Sequence, residues 1–357
     1  MATVCPPALV WPDHQISQQA MATAIAQRHH DLPHLGRGLQ VIANTQVHTR
    51  HMLQPLRQTL EPTSFGQRNQ LYSHHAVQLG THAAKQALAD SGLDPDQIDA
   101  LVVVSCTGYM LPGPDAHIAG ALGLRPTARR LPIQQLGCAA GATALAQAQD
   151  YLDAHPTRPG GQPANALVVA VELCSLSYQP SKTSISDFIS TGLFADGAAA
   201  AVIRADNQAP GLRLVANAQH LVPDSTEVIA GTTSEIGFHF ATHPRVRSTV
   251  PKVIPTIEGF LAQHGHTPQD LGFVICHTGG PAVLQAIQDG LGLDPGLLEL
   301  SWQSLRQVGN VSSVVVLDVL RRTFEQRRPA HGALGLMLAF GPGFTTEMLL
   351  GTWQEVD

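Results

Sequence analysis

Charge is scarce in this chain: Asp, Glu, Lys and Arg make up 13% of 357 residues, and aromatic residues only 5%. The formal net charge is −6 and no cluster of Lys and Arg interrupts the sequence. Nucleic acid is therefore excluded as the main ligand, because a phosphate backbone is held by grouped basic side chains. A surface so poor in charge is expected to be neutral or covered by a partner subunit. Cysteine is also sparse. Cys5, Cys106, Cys138, Cys174 and Cys276 form an odd set with no C-x-x-C spacing, which argues against a disulfide framework or a zinc ribbon. No apolar run reaches the ~18 residues that span a bilayer. The N-terminus has no basic stretch and carries Pro6 and Pro7, unlike a secretory signal, so a reducing cytoplasm is expected. The 18 histidines include the pairs His29-His30 and His74-His75, without the spacing of metal ligands.

What is present is a repeat. Ala76 to Asp90 has apolar residues at helical spacing, Gly92 and Pro95 break it, and Leu101 to Ser105 reads as a buried strand. Val253 to Gln263, then Gly265 and Pro268, then Phe273 to His277 repeat that pattern. The register persists: Gln135-Leu-Gly-Cys138 ends 33 residues after Ser105, and Gln307-Val-Gly-Asn310 ends 33 residues after His277. Each motif precedes a segment that reads as a helix. Ala166–Val171 and Ala333–Phe340 are candidate central strands, each followed by another, Ala198–Ile203 and Thr346–Leu350. Alternating helices and continuously apolar strands predict an α/β protein of two similar halves, residues 1–205 and 206–357, with helices on the faces of the sheets. The stretch from Asn207 to Pro251, rich in turn residues, is read as an insertion that shapes a pocket.

The repeat sets Cys138 and Asn310 at equivalent helix starts. A cysteine at a helix N-terminus is expected to have a lowered pKa, and a nearby imidazole, His277, would favour the thiolate further. Asn310 offers a neutral donor to an enolate or oxyanion. Singly, each has a plainer reading: a small core cysteine in Gly137-Cys138-Ala139-Ala140-Gly141, a structural strand-end histidine, a turn asparagine. Together they suit decarboxylative Claisen condensation, in which loss of carbon dioxide from a malonyl thioester generates the carbanion. Cys276 should point away from His277, into the core.

At these residues the chain resembles the type III polyketide synthases, the chalcone synthase family with its thiolase-like fold, in which duplicated α/β halves form a layered αβαβα core. The resemblance runs from about Val41 to Thr352 and rests on Leu136-Gly-Cys138-Ala-Ala-Gly141, His277-Thr-Gly-Gly-Pro281, Gly309-Asn310-Val-Ser-Ser313, Gly192-Leu-Phe194-Ala-Asp196-Gly197 and Phe340-Gly-Pro-Gly343. It implies that Cys138 carries the acyl chain while His277 and Asn310 hold the malonyl carbonyl. Phe194 and Phe238, the latter with Phe240 close by, match gatekeepers between a coenzyme A tunnel and a cavity. That cavity would be lined by Cys106, Thr107, Cys174, Ser177, Ile229, Gly231 and Ser312. Leu111 would enter the cavity of a homodimeric partner, and Arg50, Gly279 and Gly280 would touch coenzyme A. Val103-Val-Ser-Cys106 and Glu172-Leu-Cys174 look most like bacterial tetrahydroxynaphthalene synthases, from which Ser177 departs where those tend to carry cysteine. The implied substrates are malonyl-CoA and an acyl-CoA starter, with no metal, organic cofactor or acyl carrier protein.

Three other readings compete. A ketoacyl synthase of the fatty-acid initiation type shares Cys, His and Asn, but His277-Thr-Gly-Gly-Pro281 and the Phe-Gly-Pro-Gly segment favour the polyketide reading. A cysteine hydrolase needs G-x-C-x-G, whereas the first glycine here directly abuts Cys138. A non-catalytic scaffold tends to lose the nucleophile, which this chain retains.

Overall fold

A computed structural model describes residues 2–158, 160–206, 209–243 and 245–355. The chain begins with β1 (Ala2–Val4), β2 (Ala8–Val10), β3 (His14–Ser17), α1 (Gln18–Arg28), α2 (Leu35–Asn44), β4 (Thr49–Met52), α3 (Leu56–Thr59) and α4 (Phe65–Ser91). There follow β5 (Ala100–Val104), α5 (Pro114–Leu122), β6 (Arg129–Ile133), α6 (Ala140–Ala154), β7 (Asn165–Leu173), α7 (Ile185–Leu193) and β8 (Asp196–Arg204). The remainder comprises β9 (Gly211–Leu221), β10 (Ile229–Ser234), β11 (Gly237–Thr242), α8 (Val246–Gln263), β12 (Phe273–Cys276) and α9 (Pro281–Leu291). It closes with α10 (Glu299–Val308), α11 (Val315–Arg322), β13 (Leu334–Gly341) and β14 (Thr345–Gln354).

Ten strands share one sheet in the order β12-β13-β14-β9-β1-β8-β7-β5-β6, with β2 paired to β8. Outward from the β9–β1 junction the halves answer each other: β14, β13, β12 on one side, β8, β7, β5 on the other. Hydrogen-bond sense repeats too, β5–β7 and β12–β13 being parallel and β7–β8 and β13–β14 antiparallel. Only the first half adds an outer strand, β6. Side-chain alternation then divides the core into layers. Ala100, Val102 and Val104 face a central core with Leu145 of α6 and Val319 of α11, whereas Leu101 and Val103 face an outer core with Ala83 and Ala87 of α4. Phe273 and Ile275 likewise face the centre, while Val274 and Cys276 meet Ile257 and Leu261 of α8. Helix, one half of the sheet, paired helices, the other half of the sheet, helix is the resulting order.

The layers are tight where the paired helices begin. A Cβ added at Gly141 would collide with the carbonyl oxygen of Ser313 and lie 2.9 Å from Val316, so only glycine lets these helix starts approach. The repeated punctuation becomes repeated structure, with 3-10 turns at Pro95–Gln97 and Pro268–Asp270. Two expectations change. The helix read from Ala76 begins at Phe65, where Ser64 and Gln67 form a reciprocal cap, and ends at Gly92 in the left-handed region, φ 66°. The expected insertion contains β9, a sheet strand pairing with β1 and β14. Its polar Asn217, Gln219 and His220 hid it, because one face of β9 is only partly covered. The start assigned to that insertion, Asn207, lies outside the described residues. The hairpin β10–β11 and the first turns of α8 occupy the rest.

Candidate active site

Cys138 lies in the 3-10 turn Gly137–Ala139 that leads into α6. The Phe-Gly-Pro-Gly segment packs on that turn: a Cβ at Gly341 would meet the Leu136 carbonyl and, at 2.8 Å, Ala139. His277 directly follows β12, and Asn310 sits in extended backbone between α10 and the turn Ser312–Val314. Asn310 is therefore farther from its helix than Cys138 is from α6. It is held by backbone bonds to the segment after α7, the Asn310 N–H donating to Leu193 O at 2.9 Å and its carbonyl accepting from the Ala195 N–H at 3.0 Å.

The three side chains converge. Asn310 Oδ1 accepts from the Ser312 N–H at 2.8 Å and lies 3.2 Å from His277 Nε2. A backbone N–H only donates, so the atom facing it is the amide oxygen, and His277 Nε2 must carry the proton. Both amide atoms of Asn310, the nitrogen and the oxygen, lie 3.9 Å from Cys138 Sγ. His277 and Asn310 are buried, at 3% and 2% exposure, and His277 Nδ1 has no partner.

Electrostatics correct one expectation. Burial pushes the Cys138 thiol up to about 12, against lowering by hydrogen bonds from Ser312 and Asn310. The same desolvation depresses His277 to about 4. Removal from water outweighs the helix-start dipole, which favours a neutral thiol and a neutral imidazole over a thiolate pair. The imidazole's bond goes to Asn310, not to sulfur.

A cavity opens beside Cys138, lined by Cys106, Thr107, Cys174, Ser177, Ile229 and Ser312, which the resemblance implied as cavity residues, and by Phe194, which it implied as a gatekeeper. Phe240 lines it too, whereas Phe238 packs edge-on against Phe65 with ring centroids 5.3 Å apart. The phenylalanine on the second wall is thus Phe240, which register places opposite Gly231. Gly231 itself is exposed on β10, with Phe240 lying across it.

Arg50 overturns its expected role. It is 0% exposed, and its guanidinium donates to the carbonyls of Thr191 and Phe194, both at 2.8 Å, to Gly192, and to Gln18 Oε1. Spent on the end of α7, it cannot reach a solvent-borne phosphate. Gly280 caps α9 at φ 117°, and Gly279 lies against the His277 ring. Leu111 is 86% exposed and stands outside its own chain's cavity.

Sequence reasoning missed Glu172. This 0% exposed carboxyl accepts from the Cys106 N–H at 3.1 Å, Ser313 Oγ at 2.6 Å and Ser312 Oγ at 3.3 Å, stitching the halves beneath the cavity. Desolvation raises its pKa. As one acid at a strand end it gave no signal. Asp187 and His239, also on the cavity wall, were missed for the same reason. Among the described residues, no group of three His, Cys, Asp or Glu side chains could hold a metal ion.

Comparison with known proteins decides the family. The model of chalcone and stilbene synthases matches in two parts, the N-terminal domain over residues 12–207 and the C-terminal domain over 213–352. The chain belongs to the chalcone and stilbene synthase family, the type III polyketide synthases. It is 40% identical to 1,3,6,8-tetrahydroxynaphthalene synthase of Streptomyces coelicolor, over 100% of this chain and 94% of that protein. It is 37% identical to phloroglucinol synthase of Pseudomonas fluorescens, over 99% of each. The solved tetrahydroxynaphthalene synthase structure superposes with a TM-score of 0.95, covering 99% of this chain and 100% of that one. Germicidin synthase of S. coelicolor, 26% identical, superposes at 0.90 and covers 99% of both chains. The thiolase-like layering described above is thus that of type III polyketide synthases.

Proposed function

We propose that the chain extends an acyl-CoA starter by repeated decarboxylative condensation with malonyl-CoA, and that the starter is malonyl-CoA itself. The relatives named for tetrahydroxynaphthalene and phloroglucinol synthesis support this reading. The observation that carries the chemistry is the Asn310 amide, its oxygen anchored by Ser312 and His277 and its nitrogen 3.9 Å from Cys138 Sγ. Cys138 takes the acyl group from coenzyme A, and its thiol proton goes to the departing coenzyme A sulfur as the thioester forms. His277 and Asn310 hold the carbonyl of malonyl-CoA, whose loss of carbon dioxide leaves an enolate. That oxyanion is stabilised by donors already in place, a term worth ~3 kcal/mol per donor. The enolate carbon attacks the Cys138 thioester and expels the Cys138 sulfur, leaving the lengthened chain on coenzyme A; that chain is passed back to Cys138 for the next round until it cyclises to an aromatic ring or pyrone.

The active unit on this reading is a homodimer of chains built as halves 1–205 and 206–357. Leu111 at 86%, Tyr109 at 54% and Leu131 at 37% exposure, the last on the edge strand β6, supply an apolar surface for a second copy. Among the described residues no helix is long and apolar enough to cross a membrane, and the compartment is read as cytoplasm. Gly279 and Gly280 remain the proposed coenzyme A contacts. Incubating the purified chain with malonyl-CoA alone tests the proposal: an aromatic or pyrone product without carrier protein is expected. Turnover only with a malonylated carrier protein would return the assignment to the ketoacyl synthases.

A further inference from the structure

The cavity wall carries an acid–histidine pair that the condensation chemistry does not use. His239, on β11, places Nε2 2.6 Å from Oδ1 of Asp187, on α7, and both residues line the cavity that holds Cys138. The carboxylate is fixed from its other side, Oδ2 accepting the Ser184 N–H at 2.7 Å in the cap that starts α7. Although burial opposes it, hydrogen bonds from Ser184 and His239 hold the Asp187 carboxyl below the ordinary range. A carboxylate accepts, so Nε2 carries a proton, and in the neutral imidazole Nδ1 then holds the lone pair. The strand under His239 is also tied down: Gln179 Nε2 donates to Phe238 O at 2.9 Å and Ser190 Oγ to Phe240 O at 3.4 Å.

His277 is ill placed to act as a base on a bound chain. Its Nε2–H faces Asn310 Oδ1, and its Nδ1 is buried without a partner, a Cβ at Gly279 falling 3.4 Å from it. His239, with its side chain 20% exposed, is the one imidazole lining the cavity among the described residues.

We propose that His239, oriented by Asp187, is the base that closes the carbon ring of the finished chain. The inference rests on the polyketide reading. In this step Nδ1 takes a proton from a methylene carbon flanked by two carbonyls of the Cys138-bound chain. The electron pair left on that carbon attacks another carbonyl carbon of the same chain, forming a C–C bond while the C=O π pair moves onto oxygen. The imidazolium then protonates that oxygen. One C–H bond and one C=O π bond are exchanged for one C–C and one O–H bond, and neutral imidazole is regenerated.

The test compares the unaltered chain with His239→Gln and Asp187→Asn, each supplied with malonyl-CoA alone. Coenzyme A release and products are quantified together, and carbocyclic product is expressed per coenzyme A released, so that loss of folded protein cancels. A glutamine amide can still donate to Asp187 and keep the strand tethered, but it has no basic lone pair. The ratio is expected to fall at least ~100-fold in His239→Gln, the low end for general-base removal, and to a lesser degree in Asp187→Asn. Oxygen-closed lactones and hydrolysed linear chains should take the balance. A His239→Gln ratio equal to that of the unaltered chain overturns the proposal and leaves the pair a tether. An unaltered chain that releases coenzyme A but makes only lactones overturns it as well. An unaltered chain that releases none sinks the parent reading, and the ring-closing role with it.

Discussion

At Cys138 two physical effects oppose each other, and burial wins. The sequence placed the sulfur at a helix start, where a dipole favours thiolate; desolvation instead lifts the thiol to about 12. Charge in this site is therefore expected to appear when substrate arrives. Cys138→Ala should abolish polyketide formation, read by product mass spectrometry. Asn310→Ala should slow malonyl-CoA decarboxylation by ~100-fold or more, followed as carbon dioxide release; an undiminished rate would remove Asn310 from enolate stabilisation. His277 adds a pH dependence whose sign is definite. Its folded pKa is depressed from 6.5 to about 4, so as pH falls below 6.5 the unfolded chain gains a proton that the folded chain refuses. Stability is complete above that range and lost on acidification toward pH 4. Between pH 7 and pH 5 this amounts to about 2 kcal/mol. Buried Asp196, raised by desolvation to about 6, pulls the other way, so the quantity to measure is the difference in acid destabilisation between the parent and His277→Gln. The variant should lose less stability over that interval, and an equal loss would contradict the assignment.

Among the elements, the end of α7 and the start of α6 carry the site. Arg50 binds three carbonyls around Phe194, next to the backbone bridge from Leu193 and Ala195 to Asn310. Arg50→Met should cost about 3 kcal/mol or more in denaturant titrations, because those buried carbonyls lose their donor. A coenzyme A contact would instead raise KM for malonyl-CoA and leave the unfolding midpoint unmoved, so one pair of measurements separates the roles. At α6, Gly141→Ala should cost about 1–3 kcal/mol by forcing the helix away from the Ser313 carbonyl. It should also depress condensation, since Cys138 and Ser312 move with those two segments; a fully stable and active variant would show that the approach is slack. These contacts were hidden in the sequence, where the resemblance implied that Arg50 touches coenzyme A and nothing local marked it as buried.

For the molecule as a whole, the duplicated sheet leaves β6 as an unmatched outer strand, with Leu111 projecting from the neighbouring loop. A dimer joined there would have its site completed by the partner. Sedimentation analysis is expected to give twice the chain mass. Leu111→Asp should alter the distribution of product lengths more than the unfolding midpoint, and a chain that stays monomeric at assay concentrations would refute the shared site.

The amino-acid order by itself determined the duplication, the alternation of helix and strand, and the convergence of Cys138, His277 and Asn310. Those depend on periodicity and spacing, which are local and written directly in the residues. Only tertiary structure decided the neutral state of the sulfur, the choice of Phe240 over Phe238, the burial of Arg50 and the meeting of Glu172 with Cys106, Ser312 and Ser313. Each depends on which groups lose water and which distant segments come within hydrogen-bond reach, and desolvation is a property of the packed whole.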